Sequence, residues 1–217
     1  MIDYWSSNQA EIWRLLWSHA WLSVVPVIIG LVIALPLGWV AARHRWAYPP
    51  LVGIAGLLYT IPSLALFVAL PGILHTRILD VTNVVVALTV YAVALLVRVV
   101  SDGLTSVSAD TLQAATAMGY RPAGRFFAVE LPLAVPVIAA GVRVATVSNV
   151  SLVAVATFVG TAQLGTLFTE GLSRTVNQLP PILTGILLSL VLALVLDLLI
   201  QLATRLATPW RRAEVRR

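Results

Sequence analysis

Five apolar runs organise the chain. Ala20 to Ala42 carries no charge, and Pro50 to Leu74 follows after the cluster Arg43, His44 and Arg45. Val81 to Val97 is the third and ends at Arg98. The fourth, from about Pro132 to Val159, is broken by a single charge, Arg143, and the fifth, from about Pro181 to Ala203, contains Asp197. A helix crosses about 30 Å of hydrocarbon in about 20 residues, so each run is read as a membrane span. Lipid offers the backbone no hydrogen-bond partners, which leaves helices or closed barrels, and runs this long without two-residue alternation are not barrel strands. The expected fold class is all-α: a polytopic membrane helix bundle of about five transmembrane helices, with residues 1–217 forming one transmembrane domain.

Composition supports the bilayer as solvent. Hydrophobic residues make up 59% of the 217 positions and charged ones 11%, against roughly 25% charged in a soluble domain. Two absences remove whole classes of chemistry. There is no Cys, so disulfides, thiolate metal sites and a cysteine nucleophile are excluded. All 14 basic residues are Arg, so neither a GxxxxGK[ST] phosphate loop nor a Schiff-base lysine exists here. His19, His44 and His75 are isolated and read as interfacial. No HExxH, GxSxG or pair of carboxylates at catalytic spacing occurs, so metal and hydrolase chemistry are set aside.

Arginine also sets the expected orientation. With the segment between the third and fourth runs inside, Arg43, Arg45, Arg98, Arg121, Arg125, Arg205, Arg211, Arg212, Arg216 and Arg217 are cytoplasmic, and only Arg14, Arg77 and Arg174 lie outside. The N-terminus is then external and the C-terminus cytoplasmic. The first 19 residues carry Asp3, Glu11 and Arg14, unlike the basic start of a secretory signal, so the first run is expected to be retained. A net charge of +5 and the Arg-rich tail point to contact with anionic head groups, not to nucleic acid.

The only long polar stretch, 101 to 131, is more than a turn requires. Asp110 is placed to cap a short helix from Thr111 to Met118, and Gly119 to end it in a left-handed conformation. After Arg121 and Pro122 a second short piece bearing Phe126, Phe127 and Val129 leads to Leu131 and Pro132. The expectation is a cytoplasmic bracket lying against the membrane face. Its small residues Ala114, Ala115 and Ala117 leave one side slim enough to enter a groove on another protein.

The spacing Ala114, Ala115, then Gly119, then Val129, Leu131 and Pro132 resembles the EAA motif of importer-type ABC transporter permeases, with Gln113 in the place of Glu and Val129 in the place of Ile. The resemblance narrows to permeases for glycine betaine, carnitine and choline. Tyr59 to Leu66 is similar to QTIPSLAL, Glu130 to Asn149 to ELPLALPVIMAGIRTATVWN, and Gly160 to Gly165 to GAGGLG, while Ala87 to Arg98 looks like the third span of that group. It implies a type I ABC importer permease in a bacterial cytoplasmic membrane. In this reading Gln113, Ala114, Ala115, Gly119, Val129, Leu131 and Pro132 couple to an ATPase subunit pair. A second permease subunit and an extracytoplasmic binding protein complete the expected partners, beside the lipid bilayer. ATP and Mg belong to the ATPase, and this chain needs no cofactor or metal of its own.

Several intramembrane residues are read in two ways. Arg143, about 11 residues into its span and thus about 16 Å deep, either makes a structural ion pair or lines the solute path. Arg98 and Asp197 lie at similar depth and are expected to pair, with Arg143 the competitor for Asp197. Pro26, Pro36, Pro62 and Pro136 are tolerated kinks or, at Pro62 beside Ser63, a gate. Tyr59, Tyr91 and Trp39 are packing aromatics or ring faces for a quaternary ammonium; Asn149 joins Tyr59, Pro62, Ser63, Tyr91 and Arg143 as a candidate for path or gate. The segment 160 to 179 is a surface helix for a docking protein or a plain connection. Within the ABC class the rival is another cargo, methionine or another amino acid; outside it the rival is an ATP-independent channel or secondary carrier, which would be expected to show midplane relay residues or inverted repeats.

Overall fold

The computed structural model describes residues 2–210; the arginine tail from Arg211 onward lies outside them. A short α1 (Ile2–Ser7) leads into α2 (Gln9–Arg43), whose 35 residues span about 52 Å. Then come α3 (Tyr48–Thr60), α4 (Ser63–Leu74) and α5 (Val81–Thr105). Asp80 starts α5: the Thr82 N–H donates to its carboxylate at 2.9 Å and holds the group below the usual carboxylate range. The polar segment forms α6 (Ala109–Ala117), α7 (Pro122–Arg125) and a π-helical turn (Phe126–Glu130) that runs on into α8 (Leu131–Val155). After a 3₁₀ turn (Ala156–Val159) come α9 (Thr166–Ser173) and α10 (Leu179–Ala207).

Among the described residues four helical stretches are long and apolar enough to cross a membrane: α2, α5, Pro122–Val159 and α10. The second apolar run is different from the straight span expected. It breaks between α3 and α4 with a bend of 103°. Pro62 is the cause, because proline disfavours the helical region for the residue before it, and Ile61 is extended at φ −66°, ψ 128°.

Small residues bring the main helices together. Gly30, Ala34 and Gly38 recur every fourth residue and form one stripe of α2, the spacing that lets membrane helices approach closely. A Cβ added at Gly30 would stand 2.6 Å from Ala92 Cβ, and one at Gly38 would stand 2.6 Å from Val100 Cβ. Around this seam Leu96, Val97 and Val100 of α5 pack with Ala134, Ile138 and Ala145 of α8. α10 packs on α8 and α9, and leaves Leu190, Leu194, Leu198 and Leu202 exposed along its outer flank.

Candidate functional site

The bracket stands at the end of the bundle where α2 and α5 finish. α6 begins two residues earlier than the sequence suggested, and Ser108, not Asp110, caps it by accepting the Thr111 N–H at 3.2 Å. Its end is as expected from Gly119, at φ 86°. The Gly119 N–H donates to Thr116 O at 3.0 Å and the Tyr120 N–H to Ala115 O at 3.2 Å, the bonding pattern of a Schellman ending. Gln113 and Ala114 face solvent, whereas Ala115 is buried. Val129, Leu131 and Pro132 are half-buried and belong to the descending arm.

What holds the bracket in place is a residue the sequence reading did not single out. Glu130, 3% exposed, accepts two bonds from Arg43 Nη2 at 2.6 and 2.7 Å, and one from Arg125 Nε at 2.9 Å. Arg125 Nη1 in turn donates to Thr116 Oγ1 of α6 at 2.9 Å. One carboxylate therefore ties the end of α2, the bracket's second arm and, through Arg125, α6. The available signal was an acid set in the apolar context Phe126 to Leu133 with no basic residue four positions away. The π turn, a feature often found at functional positions, aims Glu130 inward while Phe126 packs edge-on against Trp39 at 6.3 Å.

The helix break gathers four of the candidate path residues. Tyr59, Ser63 and Tyr91 line a cavity of about 270 Å³ with Ile61, Ser148 and Ser151, and Pro62 forms the bend beside it. The Tyr91 hydroxyl donates to the Ile61 carbonyl at 2.5 Å, and the rings of Tyr59 and Tyr91 meet edge to face at 5.9 Å. Trp39 lies elsewhere, at the bracket end. Asn149 is also apart: it is buried and donates to Ser23 O of α2 at 3.4 Å, so it faces the α2–α8 seam.

The expected Arg98–Asp197 pair does not form. Arg143 takes Asp197 in a two-pronged contact at 2.6 and 2.9 Å, completed by Gln201 Nε2 at 2.7 Å. Arg98 is exposed and stands 3.6 Å from Asp102 on its own helix. The reason is azimuthal: α10 packs on α8, so equal depth on α5 did not bring Arg98 to it. His19 is fully buried among the helices, with Nε2 donating to Val150 O at 2.9 Å and Nδ1 3.1 Å from Gln163 Oε1. Gln163 also accepts the Gly165 N–H and donates to Ala154 O at 3.2 Å, so the segment before α9 is pinned to α8.

No group of three or more His, Cys, Asp or Glu side chains able to hold a metal occurs among the described residues. A bundle of apolar helices with one broken pair, and a short helix tied to one end, has the architecture of a multi-pass membrane protein. The chain belongs to the family described as binding-protein-dependent transport system inner membrane component, which matches residues 34–207. It is 34% identical over 175 residues to the osmoprotectant import permease protein OsmW of Salmonella typhimurium, covering 79% of this chain and 81% of that one. To the choline transport system permease protein OpuBB of Bacillus subtilis it is 31% identical over 176 residues, covering 80% and 78%. A chain of the MetNI methionine ABC transporter in an inward-facing conformation superimposes with a TM-score of 0.76 at 25% identity, over 93% of this chain and 96% of that one. The type I ABC importer permease fold expected from the sequence is thus present.

Proposed function

We propose that this chain is the transmembrane subunit of an ABC importer that carries osmoprotectants such as glycine betaine, choline or carnitine into the cell. The bracket carries the reading: its exposed Gln113 and Ala114 offer a small-residue face to a partner, and its other side is fixed to α2 through Glu130. An ATPase pair, which binds ATP and Mg, grips α6 from the cytoplasm. The external N-terminus and internal C-terminus follow from the arginine distribution. Two permease subunits, identical or homologous, enclose the path, and an extracytoplasmic binding protein delivers solute to the opposite end, near α9.

Transport is then a two-state problem in which each ligand favours one arrangement. Closure of the ATPases moves α6; Arg125 and Glu130 pass the displacement to α2 and α8. The break at Pro62, flanked by Tyr59, Ser63 and Tyr91, is the path element closest to a gate. Arg143 is held by Asp197 and acts as a structural tie, which suits a path for solutes that carry a quaternary ammonium group.

The substrate class rests on the names of the relatives, and the structural likeness to a methionine transporter supports methionine as the second reading. Purification of the tagged chain from its native membrane with its bound subunits, followed by reconstitution and uptake assays, separates them. Uptake of labelled glycine betaine or choline, unaffected by excess methionine, is the expected result. Recovery without any ATPase, or methionine uptake alone, would refute the proposal.

A further inference from the structure

A large cavity among the described residues lies away from the proposed solute path. It is an open cleft of about 860 Å³ between the last turns of α2 and the π turn, walled by Leu35, Trp39, Phe127 and Leu131. This volume falls in the range of about 300 to 1,000 Å³ usual for small-molecule sites. Arg43 and Arg125 stand in its lining, whereas Glu130 lines the neighbouring cavity instead. The carboxylate therefore sits behind the two guanidiniums as seen from the cleft.

Both arginines keep donors in reserve. A guanidinium carries five N–H groups. Arg43 uses Nη2 on Glu130, and Arg125 uses Nε and Nη1; Arg43 Nε and Nη1 and Arg125 Nη2 make no hydrogen bond among the described residues. Two positive groups stand against one negative, and the exposed Arg45 follows on the same chain end. The level is that of a membrane boundary, where the apolar run of α2 gives way to Arg43, His44 and Arg45. Trp39 is the kind of aromatic expected at such a boundary, and Phe127, 68% exposed, adds apolar wall beside it.

We infer that this cleft binds an acidic phospholipid, with the phosphate on the free guanidinium donors of Arg43 and Arg125 and an acyl chain along Leu35, Trp39 and Leu131. Basic pockets between membrane helices on the cytoplasmic side take anionic head groups by this combination of charge and apolar wall. A second protein chain would have to cover two guanidiniums balanced by a single carboxylate and fits less well. Occupancy would bear directly on the bracket, because the arginines that hold the head group are those that hold Glu130.

The test uses the transporter as purified with its bound subunits, in nanodiscs holding equal amounts of phosphatidylglycerol and phosphatidylcholine of identical acyl chains. Native mass spectrometry then counts the lipids retained on release. Retention of phosphatidylglycerol over phosphatidylcholine by roughly tenfold is expected from two arginines near a head group. Ala123→Phe, which fills the cleft without touching Glu130, and Phe127→Ala, which removes a wall, should each reduce that preference. Equal retention of the two lipids by the unaltered complex would overturn the inference, as would a preference left intact in both variants. The chain has no cysteine of its own, so Ala123→Cys reports the site alone, and its disulfide crosslinking to another subunit would assign the cleft to a protein instead.

Discussion

Replacing Glu130 by Gln keeps the shape of the side chain and removes its charge. In the intact protein this buried carboxylate takes three N–H bonds, two from Arg43 and one from Arg125. Hydrogen bonds to charged groups contribute about 1.5 to 3 kcal/mol each, and removing one partner of a buried ion pair costs about 3 to 5 kcal/mol. Arg43 and Arg125 retain 29% and 20% side-chain exposure, so water relieves part of their lost pairing. An amide oxygen also still accepts one bond. A net cost of about 2 to 3 kcal/mol follows, which raises detachment of the bracket from α2 by roughly 30- to 150-fold at 1.4 kcal/mol per decade. In proteoliposomes the expected signature is uptake per ATP hydrolysed reduced several-fold, with ATPase binding retained and the KM for solute little changed. Glu130→Asp, which keeps the charge on a shorter arm, should recover part of the ratio. An unaltered ratio of uptake to hydrolysis in Glu130→Gln, in protein as thermally stable as the parent, would refute the clamp.

Three further outcomes are expected. Gly119→Val places a β-branched residue at φ 86°, at a cost of about 1 to 3 kcal/mol; ATPase recovery in a pull-down should fall while the spans still insert, and Gly119→Asn should be milder. Asp197→Asn leaves Arg143 without its anion, so its thermal stability in detergent should drop more than that of Arg143→Leu with Asp197→Leu together; a double variant no better than the single one would argue against a structural tie. Tyr91→Phe frees the Ile61 carbonyl and should change solute uptake with no change in ATPase recovery, whereas unchanged uptake would remove Tyr91 from the gate.

The parts legible in the sequence were those set by local rules. The apolar runs, the left-handed end of α6 at Gly119 and the spacing to Leu131 and Pro132 depend only on neighbours along the chain. Helix-to-helix relations were not legible. Depth placed Arg98 and Asp197 at one level, but which helix α10 packs on decides the partner, and that partner was Arg143. Glu130 was hidden for the same reason: Arg43 lies 87 positions away, and no spacing rule reports such a contact. Pro62 was read as a kink where the chain in fact turns through 103°, because the pre-proline restriction says that a helix ends without saying how far the next one turns. His19 stands isolated in the sequence, and its partners Val150 and Gln163, 131 and 144 positions away, were out of reach of any spacing rule.

The turn at Pro62 has one more property. A continuous helix that swings must first rupture some of its own ladder bonds. Here that rupture is built in: proline has no N–H to give, and the Ile61 carbonyl is engaged from outside by Tyr91. α4 can therefore pivot about its first residue with the backbone bonds of both arms intact. Such a joint resists motion only through the side chains that touch across it, so its stiffness is tunable by single substitutions at Tyr59, Tyr91 or Ser151.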